Sequence, residues 1–393
     1  MYNRELEMAR KIALEAEGAG GRAYFVGGFV RDALLKKENK DIDLEIHGLP
    51  YEELKRLLGR LGTPLTFGAS FGVFALRGYD LDIALPRKEK ATGRGHKDFE
   101  IFTDPFIGPE KAASRRDFTI NAMLQDVLSG ELLDFFGGKE DLEKGIIRHV
   151  MEESFVEDPL RVLRAAQFSA RFGFSVCEET VELCSKMELS ALSRERVLEE
   201  LKKALLKAEK PSDFFGVLEE MNQLGFWFEE VRLPLEGLDE AAAKKDKAEK
   251  PFAFMLSALC VPMGDGGESF LRRLTNEREL INYVLNMKKL LPRLEELNAT
   301  GNSSAEFAFL FDEACCPEDL LLLSGREQEL ESALGYYREI IKTPGVTGGD
   351  LINAGAAPGE SFKAALKLAR QLQLSGEEKE EALSKTLDYL LRK

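Results

Sequence analysis

Tyr24-Phe-Val-Gly-Gly-Phe-Val-Arg-Asp32, followed from Asp41 by Asp-Ile-Asp43-Leu-Glu-Ile46, is the stretch that decides the fold. Its first part reads as a strand ending at Val26, a turn at Gly27-Gly28 and a helix carrying Arg31 and Asp32. In the second part every other residue is acidic. A strand's period of two then puts Asp41 and Asp43 on one face and the aliphatic residues on the other. Two carboxylates on a rigid strand suit magnesium, which takes oxygen ligands, uses one or two protein carboxylates and completes its octahedron with water and substrate phosphate. Taken alone, Asp-x-Asp reads more simply as a half-exposed strand with a solvated acidic face; the surrounding sequence reverses that preference.

The chain of 393 residues has room for two to four domains. With 44% hydrophobic and 31% charged residues it has the composition of an ordinary globular protein. No apolar run approaches the roughly 20 residues that span a bilayer, and a cytoplasmic protein is expected. Cys177, Cys184, Cys260, Cys315 and Cys316 show no metal-ligand spacing, so reduced thiols are expected. The three histidines, His47, His96 and His149, are too few for a His-rich metal centre. A net charge of −15 argues against a nucleic-acid partner for the surface as a whole. Arginines and lysines nevertheless gather at Arg87–Lys90, Arg94–Lys97, Arg115-Arg116, Arg161, Arg164 and Arg171, which leaves a local basic groove open.

Alternating segments at Ala23–Val26, Asp41–Ile46, Gly72–Arg77 and Leu81–Leu85, with a hairpin over Leu124–Phe136, predict a strand-rich first 140 residues. Beyond about Glu140 the period becomes helical, over Leu160–Phe172, Arg194–Leu206, Ser212–Leu224, Glu277–Leu290 and Ser361–Leu374. Linkers are expected at Leu233–Pro251 and Leu297–Ser304. The fold class is therefore α+β, a head with a small mixed sheet followed by helical domains.

Gly27-Gly28 lets backbone approach a ligand, the following helix start offers free N–H groups to a phosphate, and Arg31 adds a charged donor. Asp82 interrupts the core-like Leu81–Leu85 run. A strand beside Asp41 and Asp43 would let it orient a metal or help deprotonate a hydroxyl; an edge strand would leave it in solvent.

Gly27-Gly28-Phe-Val-Arg31-Asp32 with Asp41-Ile-Asp43 resembles the head of the class II tRNA nucleotidyltransferases, the CCA-adding enzymes and bacterial poly(A) polymerases of the polymerase-β superfamily. Arg115-Arg116-Asp117-Phe-Thr-Ile-Asn121 is similar to the second motif of that family, and Asp134-Phe-Phe-Gly137-Gly138-Lys-Glu-Asp141 to the third. Glu157-Asp158-Pro-Leu-Arg161-Val-Leu-Arg164 resembles the fourth, Arg194-Glu195-Arg196 the fifth, and Val346-Thr-Gly-Gly-Asp350 to Gly359 a tail segment. Motifs in this order are highly specific. Two departures stand out: Gln167 occupies a usual arginine position, and Phe252–Pro262 is apolar where a His-Asp phosphohydrolase domain would need metal ligands.

The resemblance implies a polymerase-β-like catalytic head over 1–140, a nucleotide-selecting neck over 141–207, a helical body over 208–292 and a tRNA-binding tail over 293–393. It implies template-independent addition of C, C and A to tRNA from CTP and ATP. Asp41 and Asp43 would hold two Mg²⁺ ions with Asp82 assisting, and Gly27, Gly28, Arg31, Arg116 and Arg164 would meet phosphates. Asp117 and Asn121, four apart on one expected helix face, would hold the ribose. Glu157 belongs to the nucleotide-reading motif. Asp158 and Arg161 would read the base edge, although Asp158 before Pro159 is also a helix-capping pair. Asp134, Gly137, Gly138 and Asp141 read as a structural turn, and Glu195 with Arg196 as packing charges that steady the reading helix. The basic Lys90–Lys97 stretch matches a loop of family members that add the terminal A. A poly(A) polymerase, an A-adding or CC-adding partial enzyme of the same family, a small-molecule nucleotidyltransferase and a non-catalytic RNA-binding protein remain alternatives; the intact Asp41 and Asp43 argue against the last.

Overall fold

Asp41-Ile-Asp43 lies at the start of a central strand. The computed structural model describes residues 2–66, 72–91, 99–297 and 301–392. The chain forms two compact units, Met1–Ala204 with Asp213–Glu229, and Leu205–Ser212 with Glu230–Lys393. In the first unit the strands are β1 (Arg22–Val26), β2 (Ile42–His47), β3 (Pro64–Thr66), β4 (Val73–Leu76), β5 (Leu81–Ala84), β6 (Arg87–Ala91), β7 (Phe99–Thr103), β8 (Leu124–Asp126) and β9 (Leu132–Leu133). Seven of them make one mixed sheet in the order β3-β4-β5-β2-β1-β8-β9. β1 pairs antiparallel with both β2 and β8, while β2 and β5 run parallel with Asp43 opposite Asp82. Ile42, Leu44 and Ile46 of β2 are buried, as are Leu81 and Ile83 of β5, so each strand spends its aliphatic face on the core. Helix Tyr51–Leu61 buries Leu54, Leu57 and Leu58, the stripe that its 3.6-residue period dictates.

β6 and β7 form a separate antiparallel ribbon, with Arg87 opposite Thr103 and Ala91 opposite Phe99. Lys90 and Ala91, the start of the stretch expected as a loop, are thus in strand. The rest of the predicted specificity loop, residues 92–98, lies outside the described residues.

Helix Leu160–Phe172 matches its expected bounds and ends at Gly173, whose φ of 69° no branched residue would adopt easily. Helix Ser212–Glu220 stops short of Leu224, where Asn222 turns the backbone to a φ of 55°. The turn motif is structural, as read. Asp134 accepts from the N–H groups of Gly138 (2.8 Å) and Lys139 (2.9 Å), and a Cβ on Gly138 would stand 2.2 Å from the Thr119 carbonyl oxygen. Thr119 Oγ1 donates to Asp141 at 2.7 Å.

The described part of the second unit is helical. The expected linker over Leu233–Pro251 instead holds helix Glu236–Ala242 and a 3₁₀ turn at Lys245–Lys247. Its alanines favour helix and bury Ala241 and Ala242, while Asp239 receives the Ser212 N–H at 3.0 Å. Helix Arg278–Glu296 runs through Pro292, carried by buried Leu290 and Leu294. Of the other expected linker, residues 298–300 lie outside the described set, and helix Ser304–Glu313 opens with a Ser303–Glu306 capping box. A fully buried carboxylate, Asp319, is satisfied by the Tyr283 hydroxyl and by the N–H groups of Glu249 and Lys250.

Candidate functional site

The parallel pairing of β2 with β5 sets Asp43 beside Asp82 on one face, and Asp41 lies two residues earlier along that face. Asp41 and Asp82 are exposed and Asp43 is half-buried. Asp82 therefore does not interrupt the core: Leu81 and Ile83 fill it while the carboxylate points away. Burial first, and then the Asp82 charge, push the Asp43 carboxyl up to about 6, against the pull of Arg116. Arg116 only partly offsets burial and the neighbouring carboxylates. The only trio of ligand-type side chains converging within 4.8 Å among the described residues is Glu249, Cys316 and Glu318 in the second unit. Arg338 takes Glu318 there at 2.6 Å. Asp41, Asp43 and Asp82 do not converge as such a trio; a magnesium ion, which uses one or two protein carboxylates with water and phosphate, would take no more than a pair of them.

Gly27, at a φ of 65°, makes the mouth of this face. A Cβ there would meet Arg116 Nη1 at 3.1 Å and Asp43 Oδ2 at 3.7 Å, so Gly27 is required both by conformation and by room. Arg116 thus stands beside the aspartates. Its Nη2 lies 3.5 Å from Glu45 Oε2, and His47 Nε2 lies 2.9 Å from Glu45 Oε1. Burial alone would raise the Glu45 carboxyl, but the hydrogen bond from His47 and the charge of Arg116 outweigh it and hold it at about 2.

The phosphate role read for Arg31 is corrected. Arg31 is 3% exposed, with Nε donating to Asp32 Oδ1 at 2.8 Å and Nη1 to Asn121 Oδ1 at 2.6 Å. Its guanidinium also lies 4.7 Å from the centre of the Phe172 ring. A helix of seven residues turns this position inward, where Arg31 supports the Gly27-Gly28 turn from beneath. Asp117 and Asn121 do meet, Asn121 Nδ2 donating to Asp117 Oδ1 at 3.0 Å, but through a 3₁₀ turn over Thr119–Asn121 and not along an α-helix. Arg164 is spent on Asp117, with Nε at 2.7 Å and Nη2 at 2.6 Å from Oδ2, and lies 3.7 Å from Glu200. Burial would raise the Asp117 carboxyl; Arg164, Asn121 and the Phe118 N–H outweigh it and hold it below the usual range.

Of the two readings weighed for Asp158, the structure shows the helix-capping one. Its Oδ1 accepts from the Leu160 N–H at 3.1 Å, which caps the helix, and its Oδ2 from Arg196 Nη2 at 2.7 Å. Arg196 accordingly steadies the reading motif through Asp158. Arg161 donates to the carbonyls of Ser154 (2.7 Å) and Arg115 (2.8 Å), and Glu157 is half-buried at the same turn. Gln167 is 1% exposed with its Nε2 lacking a partner, a cost a charged arginine would not bear better without an acid beside it.

Sequence reasoning gave no role to Asp32, Asn39, Glu45, His47 or Glu200. Asn39 donates to Asp32 Oδ2 at 2.9 Å and accepts the Asp41 N–H at 3.0 Å, an Asx turn that sets the first aspartate in place. Its position two residues before Asp41 was the available signal. Nothing local marks Glu200, which lies 36 residues along from Arg164 and is joined to it only by helix packing.

The Poly A polymerase head domain family matches residues 23–148. The Multifunctional CCA protein of Haemophilus ducreyi is 38% identical over 267 residues, which are 61% of this chain and 63% of that protein. The CCA-adding enzyme of Marinobacter nauticus is 36% identical over 277 residues, 67% of this chain and 72% of that enzyme. The Thermotoga maritima CCA-adding enzyme, solved in complex with tRNA, superposes with a TM-score of 0.70 at 26% identity, covering 98% of this chain and 95% of that one. The chain spans about half to two-thirds of the length of the first curated relatives it matches.

Proposed function

Because the chain belongs to the CCA-adding enzyme family, we propose that it adds C, C and A to the 3′ end of tRNA without a nucleic-acid template, using CTP and ATP and releasing pyrophosphate. The observation that carries the reading is the pairing of Asp43 with Asp82 on a face whose mouth is Gly27 and whose cation is Arg116. Enzymes of this class depend on a divalent metal. Two magnesium ions held by Asp41 and Asp43 would supply activation of the primer hydroxyl and neutralisation of the triphosphate.

The residues of this chain then divide the work. Asp82 keeps the acidic face strongly negative and helps receive the proton of the primer hydroxyl. Gly27 and Gly28 let the triphosphate approach the backbone, and Arg116 pairs with it across the mouth. Asp117, Asn121 and Arg164 form a preset polar surface on the ribose side. Asp158, held by Arg196, keeps lone pairs for the exocyclic amine that both cytosine and adenine present, whereas uracil and guanine place a carbonyl at that position. Arg161 supplies the donor beside it. The helical body over 208–292 and tail over 293–393 would recognise tRNA through shape, phosphates and 2′-hydroxyls.

The test uses tRNA transcripts ending at the discriminator base, at C, or at CC, supplied with CTP, ATP or both. Stepwise completion to CCA is expected. A long adenylate tail from ATP alone would favour the poly(A) polymerase reading and reject this one.

A further inference from the structure

Positions 41, 43, 45 and 47 share one face of the β2 strand and its approach, yet they sink progressively into the protein: Asp41 exposed, Asp43 half-buried, Glu45 2% exposed and His47 6%. A buried carboxylate is costly unless paired. Glu45 has two partners of unequal quality. His47 makes the short contact, 2.9 Å to Oε1, and Arg116 the long one, 3.5 Å to Oε2. Were Arg116 there only to neutralise Glu45, a short two-pronged pair would be the expected geometry. Instead the guanidinium, with five N–H donors, makes one stretched contact inward while Nη1 stands over Gly27, close to Asp43. Arg116 Nε is buried with no hydrogen-bond partner, so the guanidinium is held by its inner edge alone. His47 is in turn fixed by the Tyr24 ring, edge-on with centroids 5.3 Å apart, from the neighbouring strand.

We infer that Glu45 and His47 are positioning residues: Glu45, oriented by His47, holds one end of the Arg116 guanidinium so that its other end faces the polyphosphate of the incoming nucleotide over Gly27. The inference rests on the nucleotide site proposed above and assigns that site a support from inside the sheet. Neither residue touches substrate. Their effect reaches the ligand only through Arg116, and only on ligands that carry more than one phosphate.

The experiment is calorimetric binding, without turnover, of CTP, inorganic tripolyphosphate and CMP to the full chain in magnesium buffer. Glu45→Gln is expected to weaken CTP and tripolyphosphate about fivefold, the worth of one hydrogen bond, with CMP unchanged. Arg116→Gln weakens the same two ligands at least as much, and the double variant binds no worse than Arg116→Gln alone, because the two act as one unit. Equal weakening of CMP, or losses that multiply in the double variant, overturns the inference. Should Glu45→Gln fail to fold, the His47 pair decides. His47→Gln, which keeps a donor toward Glu45, binds tripolyphosphate as the native chain does, and His47→Leu binds it more weakly; native binding by His47→Leu overturns the inference. Native protein that takes up neither CTP nor tripolyphosphate overturns the nucleotide site itself, an outcome visible before any substitution is made.

Discussion

Replacing Asp43 by asparagine should make the metal-free protein more stable while ending nucleotide addition. Folding moves this carboxyl from 3.8 to about 6, through burial and the neighbouring Asp82 charge. A group whose folded value is raised lends stability that is fully present below its unfolded value and lost as pH rises through the folded one. The native chain therefore carries a penalty at pH 8 that is absent near pH 3.8. With each pKa unit worth about 1.4 kcal/mol, that penalty is about 2–3 kcal/mol. The Asp43→Asn substitution keeps the shape and removes the charge. The unit that carries it should melt roughly 4–10 °C higher at pH 8, with about half that gain at pH 5. Millimolar Mg²⁺ should then raise the native melting point and leave the variant almost unmoved, since binding to the folded state alone stabilises it. The assay is thermal unfolding of both chains at pH 5 and pH 8, with and without Mg²⁺, beside single-nucleotide incorporation on tRNA. A variant less stable than the native chain at pH 8, or a gap indifferent to pH, refutes the claim that burial and the Asp82 charge make the ionised Asp43 carboxyl destabilising.

Three further expectations follow from named contacts. Arg31→Met removes the donor to Asn121 and the closest cation of buried Asp32, which keeps Asn39, and should cost about 3–5 kcal/mol of stability, read as a lowered melting point; a neutral effect would restore Arg31 to the ligand. Asp158→Ala should relax selection among CTP, ATP, UTP and GTP roughly tenfold, and Arg196→Gln should move it the same way by less; unchanged misincorporation with a lowered melting point would leave Asp158 a helix cap only. Deleting residues 92–97 should leave CC addition running and stop the terminal A, checked by product sizing on the three transcripts; equal loss of C and A addition would assign the segment to folding.

Periodicity made most strands of the main sheet and the Leu160–Phe172 helix legible, though not β3 or the β6-β7 ribbon, because a run that alternates or repeats at 3.6 has one way to bury its apolar side. It did not make depth legible. The face shared by Asp41, Asp43, Glu45 and His47 was readable, but its descent from solvent to core depends on β1 and Arg116 closing over its far end, and those lie elsewhere in the chain. The same limit explains Asp82. Its choice between solvent and metal face turned on whether β5 lies beside β2, a crossover that no local pattern specifies. Arg31 was misread for a related reason: a Gly-Gly turn followed by arginine suggests a phosphate site, whereas the direction of the side chain is set by Asp32 beside it and Asn121 far along the chain. Asn121 could not be placed by counting four residues from Asp117, since that count assumes an α-helix and the chain makes a 3₁₀ turn.

Arg116 and Asp117 are consecutive, and the backbone sends them to opposite sides. Arg116 turns to Glu45 and the aspartate face, while Asp117 turns to Asn121, Arg164 and, through Arg164, to Glu200. One peptide unit therefore joins the charges at the acidic face to the helix that carries Arg161 and follows Asp158. A shift of that helix that pulls on Arg164 must move Asp117, and any displacement of Asp117 is felt one residue away by the guanidinium over Gly27. If the chain acts as proposed, a wrongly paired base that displaces that helix would misplace the triphosphate by this route. Under that proposal, selection of the base and progress of the chemistry would both depend on the same short segment, Arg116-Asp117, and the contacts that run from it to Glu45 on one side and Arg164 on the other.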